Sequence, residues 1–204
     1  MDFAFYVTAF VTLFVVIDPI GLTPLFVALT TGSGSARRRA IGFRSLGIGA
    51  LLLTLFGLFG EAVLGFVGIS MPAFRIAGGI LLFLTALDML FERRTERRQG
   101  QADANEDDPS VFPLATPLIA GPGAIATMIL LTGQTGGDIL ALVLVHLVMA
   151  SVLLMTLVLF LAAGLLERAL GAVGVNVVTR LLGMLLAALS VQFVVDGVRA
   201  LIVA

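Results

Sequence analysis

Apolar residues fill six long stretches of this 204-residue chain, and short polar segments separate them. A helix needs about 20 mainly apolar residues to cross a bilayer, and no stretch shows the strict alternation of a membrane β-strand. Because backbone groups in lipid must be hydrogen-bonded internally, we expect an all-α membrane protein with six transmembrane helices. The predicted spans are residues 3–31, 47–67, 72–91, 112–132, 139–166 and 177–203.

Prolines and glycines interrupt the first and fourth of these stretches. The sequence VVIDPIGLTPLF occupies residues 15–26, and PLATPLIAGPGAIATMILL occupies residues 113–131. Moreover, a straight helix over residues 3–31 would be about 43 Å long, whereas the hydrocarbon core is about 30 Å thick. Proline removes a donor from the helix and clashes with the preceding turn. We therefore expect helices one and four to be broken within the membrane.

Similar motifs recur in the two halves of the chain. Residues 75–82 align with 180–187 at an offset of 105, and residues 17–21 align with 119–123 at an offset of 102. A duplicated unit of three helices must enter the membrane from opposite sides in its two copies, which gives inverted repeats. The predicted parts of this single membrane domain are a first repeat, 1–91, a cytoplasmic linker, 92–112, and a second repeat, 113–204.

The distribution of arginine predicts the orientation in the membrane. Four arginines lie in residues 31–44 and four more in residues 92–110, whereas the connections at 68–71 and 133–138 contain none. Since cytoplasmic loops carry the excess of positive charge, both termini are predicted to be extracytoplasmic. An inner loop containing Glu167 and Arg168 is predicted between helices five and six.

The N-terminus lacks the basic region of a cleavable signal peptide, so the first span is expected to remain in a plasma (inner) membrane protein. Only 12% of the residues are charged and the net charge is −1, which does not favour nucleic acid as a partner. The lack of cysteine and the single histidine, His146, exclude thiolate and His-cluster metal sites. We interpret His146 as a packing residue, and we expect neither enzyme activity nor a cofactor, because no catalytic set or phosphate loop is present.

The two interruptions together form the predicted substrate site. A broken helix presents backbone donors where its second half begins and acceptors where its first half ends. Glycine lets a ligand approach the backbone closely, so two facing breaks near the midplane suit a small zwitterion. The predicted substrate-binding residues are Asp18, Pro19, Ile20, Gly21, Thr23, Pro24, Thr116, Pro117, Ala120, Gly121, Pro122, Gly123 and Ala124.

Two acidic residues within the spans leave several roles open. Asp18 would carry a coupling proton, bind a substrate ammonium, or cap a half-helix that begins near Pro19. Glu61 in the second helix would relay protons, snorkel to the interface or pair with Arg75. The candidate coupling ions are therefore H⁺ and Na⁺. Arg75 and Arg180 are interpreted as anchors at helix starts.

Both interrupted motifs resemble those of the MarC family of membrane proteins. The motifs that carry this resemblance are DPIGLTPLF and PLATPLIAGPGAIATMI, together with the six spans and the basic first loop. The resemblance implies a transporter of small neutral amino acids such as glycine and alanine, related to a lysine-exporter-type superfamily. It also implies functional positions in both motifs, namely Asp18, Pro19, Gly21 and Pro24 in the first and Pro117, Gly121, Pro122, Gly123 and Ala124 in the second. Many relatives have Asn at the places of Asp18 and Leu22, which argues against an obligatory proton carrier at Asp18.

Two other classes of function remain open from the sequence. One is a transporter of another small solute, and the other is a non-transporting membrane scaffold that interacts through its charged central loop. The expected partners are a small-molecule substrate and the lipid bilayer, and the sequence is also compatible with a homo-oligomer.

Overall fold

The computed structural model of the protein describes residues 2–91 and 108–203. Every regular element in these two ranges is helical, as expected from the apolar stretches. The arginines at 93–98 and most of the acidic run of the predicted linker lie outside the described residues. The helices are α1 (Phe3–Ile17), α2 (Pro19–Leu29), α3 (Ser35–Val67), α4 (Met71–Leu90), α5 (Ser110–Ile119), α6 (Pro122–Gly133), α7 (Ile139–Leu161) and α8 (Ala163–Val203).

Several of these helices are long and apolar enough to cross a membrane. The five candidate spans in the described part of the chain are Phe3–Leu29, Ser35–Val67, Met71–Leu90, Ile139–Leu161 and Arg168–Ile202. The pair α5 and α6 makes a sixth candidate, bent by 55° at the short break between them. The protein is therefore an integral, multi-pass membrane protein with five or six spans.

Each of the two stretches with internal prolines contains a break. Between α1 and α2, Asp18 adopts left-handed backbone angles, φ 56° and ψ 64°, which Asp tolerates better than most residues. Between α5 and α6, Ala120 and Gly121 leave the helical region of backbone space. The helix α5 is itself irregular, because the backbone is extended at Phe112 and Thr116.

The first helical segments of each half pack against helices of the opposite half. The half-helix α2 contacts α7 and α8, and the half-helix α6 contacts α3 and α4. In the same way α1 packs on α7, while α5 packs on α3. Exchanging the two halves therefore preserves this pattern of helix contacts.

Glycines allow α4 and α8 to cross at close range in the most extensive helix contact of the described chain. A Cβ atom on Gly79 would lie 2.8 Å from the carbonyl oxygen of Ser190, and one on Gly183 would lie 3.3 Å from that of Ala86. Because these neighbours are backbone atoms, a side-chain rotation cannot make room for them. Small residues at helix crossings are typical of packing within membranes.

These contacts also fix the register between the two halves. Gly79 and Gly183 are 104 residues apart, and so are their respective neighbours Ala86 and Ser190. The packing thus pairs Gly79 with Gly183. The sequence alignment at an offset of 105 pairs Gly78 with Gly183, one residue away from the pair that shares these contacts.

Two segments predicted as loops are helical. The helix α3 begins at Ser35, so the arginines at 37–39 and Arg44 lie in its first turns. With 33 residues, α3 is about 50 Å long, which lets these turns extend beyond a hydrocarbon core of about 30 Å. Likewise, α8 begins at Ala163 and includes residues 167 and 168, although Gly171 interrupts it with φ 60°. The predicted bounds came from hydropathy, which identifies the membrane-embedded part of a helix and not its ends. Both helices also continue because neither contains a proline that would end it.

The first span lies at the centre of the molecule. In its most apolar window 61% of the residues are buried, compared with 17–28% in the other four candidate spans. Phe26 near the end of α2 is fully buried and stacks on Phe160 of α7 at a ring distance of 4.2 Å. The broken helix α1–α2 is therefore largely surrounded by protein, whereas α3, α4, α7 and α8 expose many large apolar side chains.

An ion pair ties α3 to the start of α5. A guanidinium nitrogen of Arg44 lies 2.6 Å from the carboxylate of Asp108, whose other oxygen accepts hydrogen bonds from the hydroxyl and amide of Ser110. The hydrogen bonds from Ser110, together with the nearby Arg44 charge, lower the pKa of Asp108. These contacts position the segment from which the second broken helix enters the membrane.

Candidate functional site

Asp18 builds the first break. Its side chain is fully buried, and its carboxylate accepts a hydrogen bond from the Gly21 amide at 3.0 Å. Pro19 occupies the first position of α2, where its missing N–H leaves no helix bond unmade. A Cβ atom on Gly21 would collide with the Asp18 carboxylate. Asp18 therefore caps α2, and Gly21 leaves the space that the cap needs.

Polar groups follow the first break along α2. The Thr23 hydroxyl, which is buried, donates to the Pro19 carbonyl at 2.8 Å. Pro24 is exposed and has no N–H to offer the Ile20 carbonyl one turn earlier. The first turn of α2 therefore retains an acceptor group without its usual helical donor.

The second break also has a proline at the start of its second half-helix, but it lacks a side-chain cap. Gly121 is the N-cap of α6 and Pro122 its first residue, and no side chain accepts a hydrogen bond from the first turn. A Cβ atom on Gly121 would collide with the Pro117 carbonyl oxygen, so this glycine is required by the local chain path. The N-terminus of α6 is therefore electropositive without a neighbouring carboxylate from a capping residue.

The structure brings the two breaks together. A Cβ atom on Gly123 would lie 3.2 Å from Val16, which is two residues before Asp18. It would also lie 3.3 Å from Leu82 and 3.7 Å from the Thr85 hydroxyl, both on α4. The start of α6 thus packs against the end of α1, and the predicted residues Ala120 and Ala124 are buried beside it.

A matching hydroxyl contact occurs in the two half-helices. Thr127 in α6 is fully buried and donates to the Gly123 carbonyl at 2.8 Å, as Thr23 does to Pro19 in α2. The sequence motifs pointed to Thr23 but not to Thr127, because Thr127 lies beyond the proline and glycine positions. Its four-residue spacing from Gly123 is the signal that would have identified it.

Two cavities flank the half-helices. A cavity of about 140 Å³ lies between α2 and α8, lined by residues that include Thr23, Pro24, Gly171 and Val175. A more open, almost wholly apolar cavity of about 310 Å³ lies beside Pro122 of α6, against α3 and α4. The smaller volume is below the roughly 300–1,000 Å³ that is usual for sites of drug-sized ligands, so it suits a small solute.

Some predicted residues do not join this centre. Thr116 is exposed on α5, in extended backbone. Glu61 is exposed on α3 beside Gly60, which contacts Ile129. Ile129 lies about 10 Å along α6 from the break, and Glu61 forms no ion pair with Arg75.

Other polar residues of the spans have defined surroundings. The Nδ1 atom of His146 lies 2.8 Å from the Leu142 carbonyl, as expected of a packing residue, although its Nε2 atom is buried without a hydrogen-bond partner. Arg75 lies in the second turn of α4, whereas Arg180 lies well inside α8 because that helix begins earlier than predicted. Among residues 2–91 and 108–203, no group of three His, Asp or Glu side chains has the arrangement of a metal site.

Comparison with known proteins agrees with this architecture. The family model described as MarC family integral membrane protein matches residues 3–202. This chain belongs to the MarC family. The match includes both proline-containing breaks and all eight helices of the described chain.

Other members of the MarC family are similar to the chain along its length. The UPF0056 membrane protein MJ1677 of Methanocaldococcus jannaschii is 35% identical over 204 residues, which cover 98% of each chain. The UPF0056 membrane protein of Archaeoglobus fulgidus is 37% identical over 197 residues, 95% of this chain and 92% of the relative. The UPF0056 inner membrane protein YhgN of Escherichia coli (strain K12) is 36% identical over 195 residues, 95% of each chain. No solved structure shows a significant match.

Proposed function

We propose that this MarC-family protein transports small neutral amino acids such as glycine and alanine across the plasma membrane. The observation that carries the proposal is the contact between two broken helices, in which Gly123 at the start of α6 packs beside Val16 at the end of α1. Paired interrupted helices at corresponding positions of two halves are typical of substrate sites in secondary transporters.

The helix contacts support an arrangement of inverted repeats. Each half-helix packs on the second and third helices of the opposite half, and α4 crosses α8 through equivalent glycines. Such an exchange of contacts lets one half rock against the other while the central site stays in place. The proposed transport cycle is therefore a rocking of the two repeats about the α4–α8 crossing.

The proposed substrate fits the difference between the two breaks. The N-terminus of α6, without a side-chain cap, suits a carboxylate, because helix N-termini attract anions. The Asp18 carboxylate at the other break suits an ammonium group. Ala120, Gly123 and Ala124 leave no charged partner for a larger substrate side chain, which favours small neutral amino acids.

Ion coupling is a further part of the proposal. Asp18 is the better candidate for a site of H⁺ or Na⁺, since it is buried at the break, whereas Glu61 is exposed on α3. We propose no enzymatic step and no resident cofactor. The scaffold alternative depends on residues 92–107, which lie outside the described part of the chain.

Flux measurements in proteoliposomes test the proposal. Purified protein should carry radiolabelled glycine and alanine down an imposed gradient, and protein-free liposomes should not. Leucine, lysine and glutamate should compete poorly, because Ala120, Gly123 and Ala124 at the second break are small and uncharged. Correctly folded protein that moves neither glycine nor alanine would reject the substrate assignment, and a thermal-shift screen of small solutes would then identify the alternative class.

A further inference from the structure

Arg75 is a cation without a counter-charge in the described part of the protein. The residue is half-buried in α4, and its Nε atom is completely buried without a hydrogen-bond partner. No ion pair joins it to any acid among the described residues. An unpaired charge within a membrane helix is unfavourable and usually marks a functional position.

The neighbouring glycines show which face of α4 carries Arg75. Gly78 faces Leu130 of α6, and Gly79 faces Ser190 of α8. Residues three and four apart lie on the same face of a helix, so Arg75 belongs to the face that packs against both partners. Its guanidinium group therefore lies at the seam between α6 and α8 rather than on the lipid side of α4.

Arg75 is well separated from the breaks. Thr85, which approaches Gly123, lies ten residues further along α4, or about 15 Å. Helical side chains also lean towards the N-terminus of their helix, which directs Arg75 away from the breaks. It lies near the end of the seam where Met71 contacts Gly133. We call this end of the seam, where α4 begins, the mouth; it is distinct from the central site.

The polar groups of the adjoining helices do not neutralise Arg75. Asp196 on the facing part of α8 accepts a hydrogen bond from Gln192 at 2.8 Å and forms no ion pair with Arg75. Gln134 at the end of α6 donates to the Leu130 carbonyl. The seam therefore holds a positive charge that forms no ion pair with an acid of the described chain.

The equivalent position in the second half carries a neutral group. Thr179 precedes Gly183 by four residues, as Arg75 precedes Gly79, and the two glycines are equivalent in the packing. The Thr179 side chain is 8% exposed, and its hydroxyl is buried without a hydrogen-bond partner. One turn earlier, Val175 lines the cavity of about 140 Å³. The two corresponding positions therefore carry different groups, a guanidinium at Arg75 and a hydroxyl at Thr179.

We propose that Arg75 binds the carboxylate of the substrate at the mouth between α6 and α8, before the substrate reaches the breaks. Guanidinium binds carboxylates through paired, charge-assisted hydrogen bonds. Because Thr179 is uncharged, this contact raises the affinity for carboxylate substrates only from the membrane face at which α4 begins. The amino-acid identity of the substrate rests on the proposed function, whereas carboxylate binding at Arg75 does not.

Ligand-dependent thermal stability tests carboxylate binding directly. Glycine and acetate should stabilise the wild-type protein, whereas glycinamide, which lacks a carboxylate, should not. Arg75→Gln should weaken both effects about tenfold or more, as expected for losing a hydrogen bond to a charged group. Arg75→Lys should keep part of the effect. The matched control is Arg199→Gln, which removes an exposed arginine near the C-terminal end of α8 and should behave as wild type.

Transport measured separately from each face of the membrane distinguishes a role at the mouth from a role at the central site. In oriented proteoliposomes, Arg75→Gln should raise the KM for glycine about tenfold from the face where α4 begins, and leave the maximal rate and the opposite face unchanged. Equal loss from both faces, or a loss of maximal rate alone, would overturn a role at one mouth. If Arg75→Gln differs from wild type only in vesicles with anionic lipid, and carboxylates have no effect, Arg75 is a headgroup anchor and the inference is wrong.

The outcomes separate this inference from the proposed function. Acetate stabilisation that depends on Arg75, in a protein without glycine or alanine flux, would retain the anion site and reject the amino-acid substrate. Normal flux and normal glycine affinity in Arg75→Gln would retain the transporter and reject the anion site. A folded wild-type protein that responds to no carboxylate would reject the anion site as well.

Discussion

Asp18 shows how one residue satisfies several local requirements of a broken helix. Its backbone adopts the left-handed conformation, its carboxylate caps α2, and its side chain is fully buried. Asn meets the first two requirements equally well, since it also caps helices and tolerates left-handed angles. A proton carrier, by contrast, must be an acid. Substitution by Asn therefore separates the structural role from the coupling role.

Replacing Asp18 by Asn should preserve folding but abolish the response of glycine flux to a pH gradient, because Asn cannot carry a proton. The Asn side chain keeps an acceptor for the Gly21 amide, so the free energy of unfolding should change by less than about 0.5 kcal/mol. Asp18→Ala should cost about 1–2 kcal/mol, because the cap is lost and Ala tolerates the left-handed angles poorly. Denaturation in detergent micelles and glycine flux with and without a pH gradient measure both effects. A pH response that persists in a stable Asp18→Asn protein would instead show that Asp18 is not the coupling site.

The glycines of the motifs show what sequence could and could not predict at this scale. Gly21 and Gly121 were predicted as places of close ligand approach, because glycine exposes the backbone. In the structure the chain's own atoms fill those spaces, the Asp18 carboxylate beside Gly21 and the Pro117 carbonyl oxygen beside Gly121. The need for glycine was readable from the sequence. Which atom would occupy the space was not, because that depends on local hydrogen bonds.

At the scale of helices, the positions of proline and glycine correctly predicted the two breaks, whereas hydropathy did not predict where several helices begin. Proline fixes where a helix is interrupted, so both breaks lie within the predicted motifs. The arginines at the start of α3 are polar but good helix formers, so a helix continues through them beyond the bilayer. Apolar windows cannot detect such an extension.

Gly123 is the glycine that joins the two broken helices, and its substitution should test their contact. In Gly123→Ala, the new methyl group would lie 3.2 Å from Val16 and 3.3 Å from Leu82, so both side chains must move. Overpacking of this kind costs about 1–3 kcal/mol, and glycine flux should fall with it. Denaturation midpoints and initial rates in proteoliposomes measure the two effects.

Gly47→Ala provides the matched control for that substitution. Gly47 lies inside α3 with open space around it, and Ala is favoured over Gly in a helix by up to about 1 kcal/mol. This variant should therefore be as stable as wild type or more stable, with normal flux. Equal behaviour of the two variants would show that the contact between the breaks is loose.

At the scale of the whole molecule, the first half packs against the second mainly where α4 crosses α8. The register at this crossing predicts unequal effects at adjacent glycines. Gly79→Ala places a methyl group 2.8 Å from the backbone oxygen of Ser190, whereas Gly78→Ala meets only the movable end of Leu130 at 3.0 Å. Gly79→Ala should therefore destabilise the protein by about 1–3 kcal/mol and Gly78→Ala by less. The reverse order in denaturation experiments would favour the register of the sequence alignment.

The predicted orientation of the molecule rests on the position of its basic residues and can be tested with single cysteines, because the chain has none of its own. Ala36 and Ile69 lie at opposite ends of α3, and both are exposed. The arginines beside Ala36 predict that this end lies in the cytoplasm. An impermeant maleimide should therefore label Ile69→Cys in intact cells and Ala36→Cys only after permeabilisation. Labelling of Ala36→Cys from outside would place both termini in the cytoplasm and would assign the Arg75 mouth to the inner face.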